Sequence, residues 1–397
     1  MHIWIQSKLI KIKPIIIVKV DALGDSILLC NYLRSLHRKH NQIFDIVCKS
    51  NLESFYKRLN FINKIFVVDV DRDLQIKYFK ELKDSYDILI NPTFSRCYLS
   101  EFISKNINAK NKITFKGDNA NQHEEKLRLN LQNYDVIIKN INPQLPEFLK
   151  LYLLFKHLFP EIFPKALKPL LKLKSSEKSW ASEFYKKNKL RPDKTICFFP
   201  GTGTSVRQYN KFGEALETFQ NYYDCDILIL GHQSDFDLGR RNTSKLRNVV
   251  NHCGKTSLSQ CIALLSHARC AFGSETGIAH LASALSIHHT ILLGGGHAGR
   301  FMPYSKYTSA VVNPLECFNC NWYCTQSEVR CIIDIKPILL FIALRISWDK
   351  LTYDGSSLLY SDHNNTNNKL ILKIFTFYEI IFDKSASITK AILKIKK

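Results

Sequence analysis

Apolar residues in this chain fall in short runs that alternate with helix-spaced stretches. Lys13-Pro-Ile-Ile-Ile-Val-Lys-Val20 is a β-branched run and reads as a strand buried on both faces. Asp21-Ala-Leu-Gly-Asp25 follows as a tight loop. From residue 26 to 39 the apolar positions Ile27, Leu28, Tyr32, Leu33 and Leu36 share one side of a helix. The unit recurs as a strand over 44–48, a helix over 52–59, a strand over 64–70 and a strand over 86–91. Such alternation predicts a parallel sheet with helices on both faces.

Residues from about 115 to 190 are mostly helical and basic, and Lys165-Ala-Leu-Lys-Pro-Leu-Leu-Lys-Leu-Lys174 breaks the pattern. A second series then begins. Strands are expected over 194–199, 226–230, 249–251, 270–273 and 289–293, and helices over 210–221, 257–266 and 275–285. The resulting division is an N-terminal domain over 1–175, a second domain over 176–348 and a basic extension over 349–397. Two doubly wound domains in tandem leave a cleft, and ligands of such sheets bind beyond the carboxyl ends of the strands.

Composition adds a strong charge bias. Fifty-six Lys and Arg against 35 Asp and Glu leave a net charge of +21. Such a surface attracts polyanions: nucleic acid, an anionic membrane face or phosphate-rich substrates. No recognisable nucleic-acid module is present and the basic residues are spread widely, so nucleic acid is not expected as a partner. The start of the chain lacks a small-residue cleavage site after an apolar core. The strongest apolar stretches, 14–18 and 337–344, fall well short of the roughly 20 residues of a spanning helix. These features predict a cytoplasmic protein with peripheral membrane contact. In the extension, after the polar run Asn364-Asn-Thr-Asn-Asn368, the residues Leu370, Ile374, Phe377, Tyr378 and Ile381 fall near helical spacing among many lysines. This predicts a basic amphipathic helix, lying on an anionic membrane or packed back on the protein.

The candidate chemistry sits where strands end. Gly24-Asp25 lies between the first strand and helix, where Gly permits close approach and an ionised Asp accepts a hydroxyl proton or simply caps the helix. Ser274-Glu275-Thr276-Gly277-Ile278-Ala279-His280 follows a strand and opens a helix, whose N-terminus suits a diphosphate, with a plain capping box as the alternative. Pro200-Gly201-Thr202-Gly203-Thr204-Ser205-Val206-Arg207 is a Gly/Thr loop followed by a cation that can neutralise a departing phosphate or merely face solvent. Asp235, in Gly231-His-Gln-Ser-Asp235, holds a position from which an acid binds ribose hydroxyls in dinucleotide folds. Eight of the twelve cysteines are scattered and read as reduced core residues. Cys317, Cys320, Cys324 and Cys331 cluster with the spacing C-x2-C-x3-C-x6-C, which suits a structural Zn or Fe ion, a redox pair or buried free thiols.

Taken in order, these segments resemble glycosyltransferase family 9, the ADP-heptose:lipopolysaccharide heptosyltransferases. The resemblance runs from about residue 14 to 348. It is carried by Val18-Lys-Val-Asp-Ala-Leu-Gly-Asp25, Phe199-Pro-Gly-Thr202 with Arg207-Gln-Tyr209, Leu230-Gly-His-Gln-Ser-Asp235, Asn251-His-Cys-Gly-Lys-Thr-Ser-Leu258, Gly273-Ser-Glu-Thr-Gly-Ile-Ala-His-Leu-Ala-Ser-Ala-Leu285 and the four cysteines. It implies a GT-B fold of two Rossmann-like domains facing a central cleft, and an inverting transfer that needs no catalytic metal.

By this resemblance Asp25 is the general base, beside Gly24. Thr202, Arg207, Asp235, Ser274, Glu275, Thr276, Gly277 and His280 bind the nucleotide-sugar donor, ADP-heptose, with Gly201 in the loop. Arg207 stands where Lys is usual, Glu275 where Asp is usual, Ile278 where Pro or Leu is frequent, and Tyr209 where Trp is usual. A related branch that glycosylates proteins uses such cysteines for iron. The expected acceptor is a lipopolysaccharide core or lipid A-type molecule at the cytoplasmic face of the inner membrane. Transfer to a protein hydroxyl, a non-catalytic scaffold and a nucleic-acid-binding basic protein are the other readings.

Overall fold

The computed structural model describes residues 14–68, 86–161, 171–351, 355–361 and 370–376. The amino-terminal residues 1–13, most of the basic segment 165–174 and the polar run 364–368 lie outside the described residues. The chain divides into two compact units, Met1–Pro164 and Lys165–Lys397, so that the expected boundary at 175 lies inside the second.

In the first unit six parallel strands form one sheet: β1 (Ile15–Val18), β2 (Phe44–Cys48), β3 (Ile62–Val67), β4 (Tyr86–Asn91), β5 (Ala109–Phe115) and β6 (Val136–Ile138). Their order is β3-β2-β1-β4-β5-β6. The winding reverses between β1 and β4, which makes their carboxyl ends the switch point where such sheets bind ligands. All four residues of β1 are buried, as a strand covered by helices on both faces requires. The following helix, Leu23–His40, buries Ile27, Leu28, Leu29, Tyr32, Leu33 and Leu36 and ends at Asn41 in the left-handed region. His37, Arg38, Lys39 and His40 fill its last turn, where the helix dipole favours cations. Tyr32 stacks on Phe155 at 5.6 Å and its hydroxyl donates to the Phe148 carbonyl, which fixes the helix Glu147–Leu158 against it.

The second unit repeats the order. Its strands are β7 (Thr195–Phe199), β8 (Asp226–Ile229), β9 (Val249–Asn251), β10 (Cys270–Ser274), β11 (His289–Leu292), β12 (Thr308–Val311), β13 (Gly355–Ser361) and β14 (Leu370–Thr376). The sheet runs β14-β13-β12-β11-β10-β7-β8-β9, and here the winding reverses between β7 and β10. Phe198, Phe212 and Phe272 pack edge-to-face and stacked at 5.4–5.8 Å in its core. Ser257 and Gln260 close a capping box at the start of the helix Leu258–His267. Among the described residues no helix is long and apolar enough to cross a membrane.

One expectation needs correction. The start of the predicted tail helix, Leu370–Thr376, is strand β14, paired antiparallel with β13, which itself continues the parallel sheet beside β12. Leu370 and Ile374 are helix-spaced, but Leu-Ile-Leu-Lys-Ile-Phe-Thr is also rich in β-branched and aromatic residues, and an open sheet edge decides for the strand. Phe377, Tyr378, Ile381 and the lysines after them lie outside the described residues.

Candidate active site

Each unit gathers polar groups at its switch point. In the first, Asp25 is the third residue of the helix Leu23–His40, whose N-cap is Ala22, so Asp25 is not a capping residue. Its side chain is 23% exposed, accessible to an incoming hydroxyl, and Oδ1 lies 4.0 Å from Nζ of Lys19. Lys19 directly follows β1 and is buried. Nζ donates to Asp21 Oδ2 at 2.7 Å, and Thr93, beyond the end of β4, donates to the same oxygen at 2.6 Å. A buried ammonium persists only when paired. Burial alone would depress the Lys19 ammonium, but Asp21 and Asp25 outweigh it and hold its pKa above the ordinary value. Burial pushes Asp21 up, but Lys19 and the Thr93 hydroxyl bring it below the ordinary carboxylate range.

Glu147 adds its charge to the field at Lys19. It pairs at 2.7 Å with Lys150, which is fully buried, and the Lys150 ammonium lies 4.1 Å from the Phe94 ring centroid. The result is an accessible carboxylate backed by buried pairs, a suitable arrangement for a proton acceptor. Motif reading singled out Gly24 and Asp25 but missed Lys19, Asp21, Thr93, Glu147 and Lys150. The one signal available was Lys19 itself, a charge just past an apolar strand.

In the second unit the loop after β7 and the loop after β10 meet. Ser274, the last residue of β10, donates to the Pro200 carbonyl at 3.1 Å. Thr276 is the N-cap of the helix Gly277–Leu285, in extended conformation and without a side-chain cap. Its hydroxyl is buried and has no hydrogen-bond partner. A buried hydroxyl left unmatched at a helix N-terminus is costly unless a ligand completes it. Thr202 donates within its own turn to the Thr204 carbonyl at 2.6 Å.

Arg207 is half-buried in the same loop and reaches Thr204 Oγ1 at 3.4 Å. It lies close enough to oppose the effect of burial on Glu275, whose carboxyl is nevertheless pushed up to about 7 by desolvation. Glu275 is therefore poised between its neutral and charged forms at neutral pH. Asp235 is half-buried and accepts the His232 backbone N–H at 2.8 Å. Its carboxylate lies against Gly201 and Gly231. A Cβ at Gly201 would stand 2.2 Å from the Asp235 carboxyl carbon, so only glycine allows that approach.

His280 is turned into the core. It is 5% exposed, bonds to the Tyr304 hydroxyl at 2.9 Å, and is held neutral by burial, which lowers its pKa to about 3. The structure thus groups Thr202, Arg207, Glu275, Thr276 and Gly277 around two adjoining loops and sets His280 beneath them. Tyr209 is buried too, packed edge-to-face on Phe212 and donating to the Ile335 carbonyl at 2.7 Å, which pins the end of the Arg207 turn.

The eight scattered cysteines are free, seven of them buried and Cys97 half-buried. Cys317, Cys320, Cys324 and Cys331 border one small cavity together with Gly295 and Trp322. Burial raises Cys331 to about 11, and Gly295 donates its N–H to that sulfur at 3.3 Å. The donor set has the chemistry of a tetrahedral thiolate site. Among the described residues no three Cys, His, Asp or Glu side chains converge closely enough to hold an ion.

The family profile described as glycosyltransferase family 9 (heptosyltransferase) matches residues 75–328. No curated protein matches in sequence. Among solved structures, a glycosyl transferase of family 9 from Veillonella parvula DSM 2008 is 15% identical, covering 85% of this chain and 97% of that one, with a TM-score of 0.69. The E. coli ADP-heptose lipopolysaccharide heptosyltransferase II is 17% identical, covering 85% and 99%, with a TM-score of 0.65. The dodecameric iron-containing heptosyltransferase TibC, in complex with ADP-D-beta-D-heptose, is 12% identical, covering 86% and 78%, with a TM-score of 0.52; TibC comes from enterotoxigenic E. coli H10407. These likenesses agree with the GT-B class of two Rossmann-like doubly wound units read from the sequence.

Proposed function

The chain belongs to glycosyltransferase family 9, and we propose that it transfers a heptose from an ADP-linked donor to a lipopolysaccharide core at the cytoplasmic face of the inner membrane. The observation that carries the donor half is the start of the helix Gly277–Leu285. An orphaned buried hydroxyl on Thr276, free helix N–H groups and the Arg207 cation together make a cradle for a diphosphate. The solved relatives named for ADP-heptose support the choice of nucleotide and sugar.

In this reading Asp25 takes the proton of the acceptor hydroxyl. That oxygen attacks the anomeric carbon of the heptose, the bond from that carbon to the diphosphate oxygen breaks, and ADP leaves with the bonding pair. One displacement inverts the anomeric centre. Arg207 and the helix N-terminus stabilise charge as it collects on the departing diphosphate. Asp235 binds the nucleoside and Glu275 faces the sugar. No step passes through the four cysteines.

Thermal stability against ADP, UDP, GDP and CMP, each with and without Mg²⁺, tests the donor. A ligand that binds only the native state stabilises by mass action, about 2.7 kcal/mol at a hundredfold excess over Kd. A rise with ADP alone, independent of Mg²⁺, is expected. A rise with UDP or GDP instead would keep the reaction and replace the donor.

A further inference from the structure

The cysteine-rich segment carries a residue that donor binding has not used. Trp322 lies between Cys320 and Cys324. It has a φ of +67°, with Asn319 at +69° and Asn321 at +51°. Left-handed backbone at a bulky residue persists only where the surroundings demand it. Here the demand comes from the loop after β11. The N–H of Asn319 donates to the Gly295 carbonyl at 2.8 Å, and that of Asn321 to the Gly296 carbonyl at 3.0 Å.

The indole then lies flat on the glycines. A Cβ at Gly294 would stand 2.4 Å from the ring, and one at Gly296 would stand 2.3 Å from it. Its Nε1–H donates to His297 Nδ1 at 3.2 Å. The guanidinium of Arg207 lies 5.5 Å from its ring centroid. Arg207 also crosses Gly203, where a Cβ would stand 3.0 Å from Nη2.

We infer that Trp322 is a positioning residue of the donor site. It holds the Arg207 guanidinium beside the N-terminus of the helix Gly277–Leu285 through a cation–π contact, and the four-cysteine segment is the mount that fixes the indole. The inference rests on the reading of Arg207 as a contact to the donor diphosphate. It gives the segment a part in donor recognition whether or not its thiols bind anything. The backbone hydrogen bonds to Gly295 and Gly296 and the sulfur contact of Cys331 to Gly295 set the height of the ring. The His297 bond sets its rotation.

The test is ADP affinity by titration calorimetry for the full chain and for Trp322→Leu, Trp322→Phe, Arg207→Ala and the double variant Trp322→Leu/Arg207→Ala, with melting followed in parallel. Leu fills the volume without a ring face. Trp322→Leu is expected to weaken ADP ~3- to 30-fold, the range of a partly desolvated cation–π contact. Trp322→Phe should recover most of that loss, and Trp322→Leu should cost nothing further once Arg207 is Ala. The fluorescence change on adding ADP should shrink in Trp322→Phe although ADP still binds, which places the indole at the donor site, and the double variant separates the cation–π role from a purely structural one. Wild-type affinity in a folded Trp322→Leu protein overturns the inference. So does the same loss in both Arg207 backgrounds. If the wild-type chain binds no ADP, the donor reading itself fails and the inference with it.

Discussion

The two sheets are wound alike and the same kind of contact closes both switch points, yet they carry different electrostatics. Beyond β4 the Thr93 hydroxyl crosses to Asp21, and at the end of β10 the Ser274 hydroxyl crosses to the Pro200 carbonyl. In the first unit the crossing ends on a carboxylate, and around it lie Lys19, Asp25, Glu147 and Lys150, an array of charges fixed by one another. In the second it ends on a neutral carbonyl. Around that lie helix N–H groups, an unmatched Thr276 hydroxyl, one arginine and a glutamate poised near neutrality. The first arrangement sets an accessible carboxylate against buried ion pairs. The second leaves positive potential unanswered, which is what a diphosphate requires. One topology supports both because the strands only bring two loops together, and the residues on those loops decide the sign.

The sharpest way to break the comparison is to remove the proposed base without changing its shape. Asp25→Asn is expected to lower kcat by roughly 10²- to 10⁴-fold, the usual worth of a positioned general base. ADP affinity should stay close to that of wild type, because the groups proposed to hold ADP are other residues, on the loops after β7 and β10. Single-turnover transfer to a truncated core acceptor, read beside ADP titration, checks both halves. Full activity would remove Asp25 as the base, and a matching loss of ADP affinity would place it in donor binding.

The next effect is on folding. Lys19→Met leaves Asp21, 21% exposed, without its buried cation, a change whose upper bound is the roughly 3–5 kcal/mol of a fully buried pair. Urea unfolding should show it, and Lys19→Met/Asp21→Asn should regain a good part, since the uncompensated charge is then gone. A loss under about 1 kcal/mol would mean that water reaches Lys19 and that the first unit is no more ionic than the second.

How much of this was legible beforehand follows from what pattern can encode. Strands covered on both faces read as apolar runs, so β1, β7, β8, β10 and β11 stood out, and the loops after them drew attention to Asp25, Arg207 and Thr276. Partners distant in sequence did not stand out. Lys19 looked like the end of a strand because the groups around its pair with Asp21 come from elsewhere: Thr93, bound to Asp21, from another strand end, and the Glu147 charge from another helix. Trp322 follows no period, and its ring is oriented by glycines of a different loop. Leu370–Thr376 satisfied helical spacing and strand composition together, and only its pairing with β13 distinguishes them. His280 shared a motif with Thr276 and Gly277, but the helical turn that exposes Gly277 carries His280 inward to Tyr304.

The smallest effect is the most direct probe of the second unit. Glu275 in the folded chain titrates near 7, against an ordinary value of 4.5, because desolvation outweighs the pull of Arg207. Between those values the folded chain keeps a proton that the unfolded chain has released, so this group makes stability fall as pH rises through that window and level off above it. Glu275→Gln removes the penalty. Because the side chain is only half-buried, about 1–2 kcal/mol of added stability at pH 8, and only a small part of that at pH 5, is the expected gain. Paired urea unfolding at the two pH values measures it. The same variant should bind ADP better than wild type at pH 8 and equally at pH 5, if the carboxylate it removes stands close enough to the proposed diphosphate cradle to repel it. A Gln variant less stable than wild type at pH 8 would show the reverse, a Glu275 held ionised by Arg207. In that case the second switch point would be built from fixed ion pairs like the first.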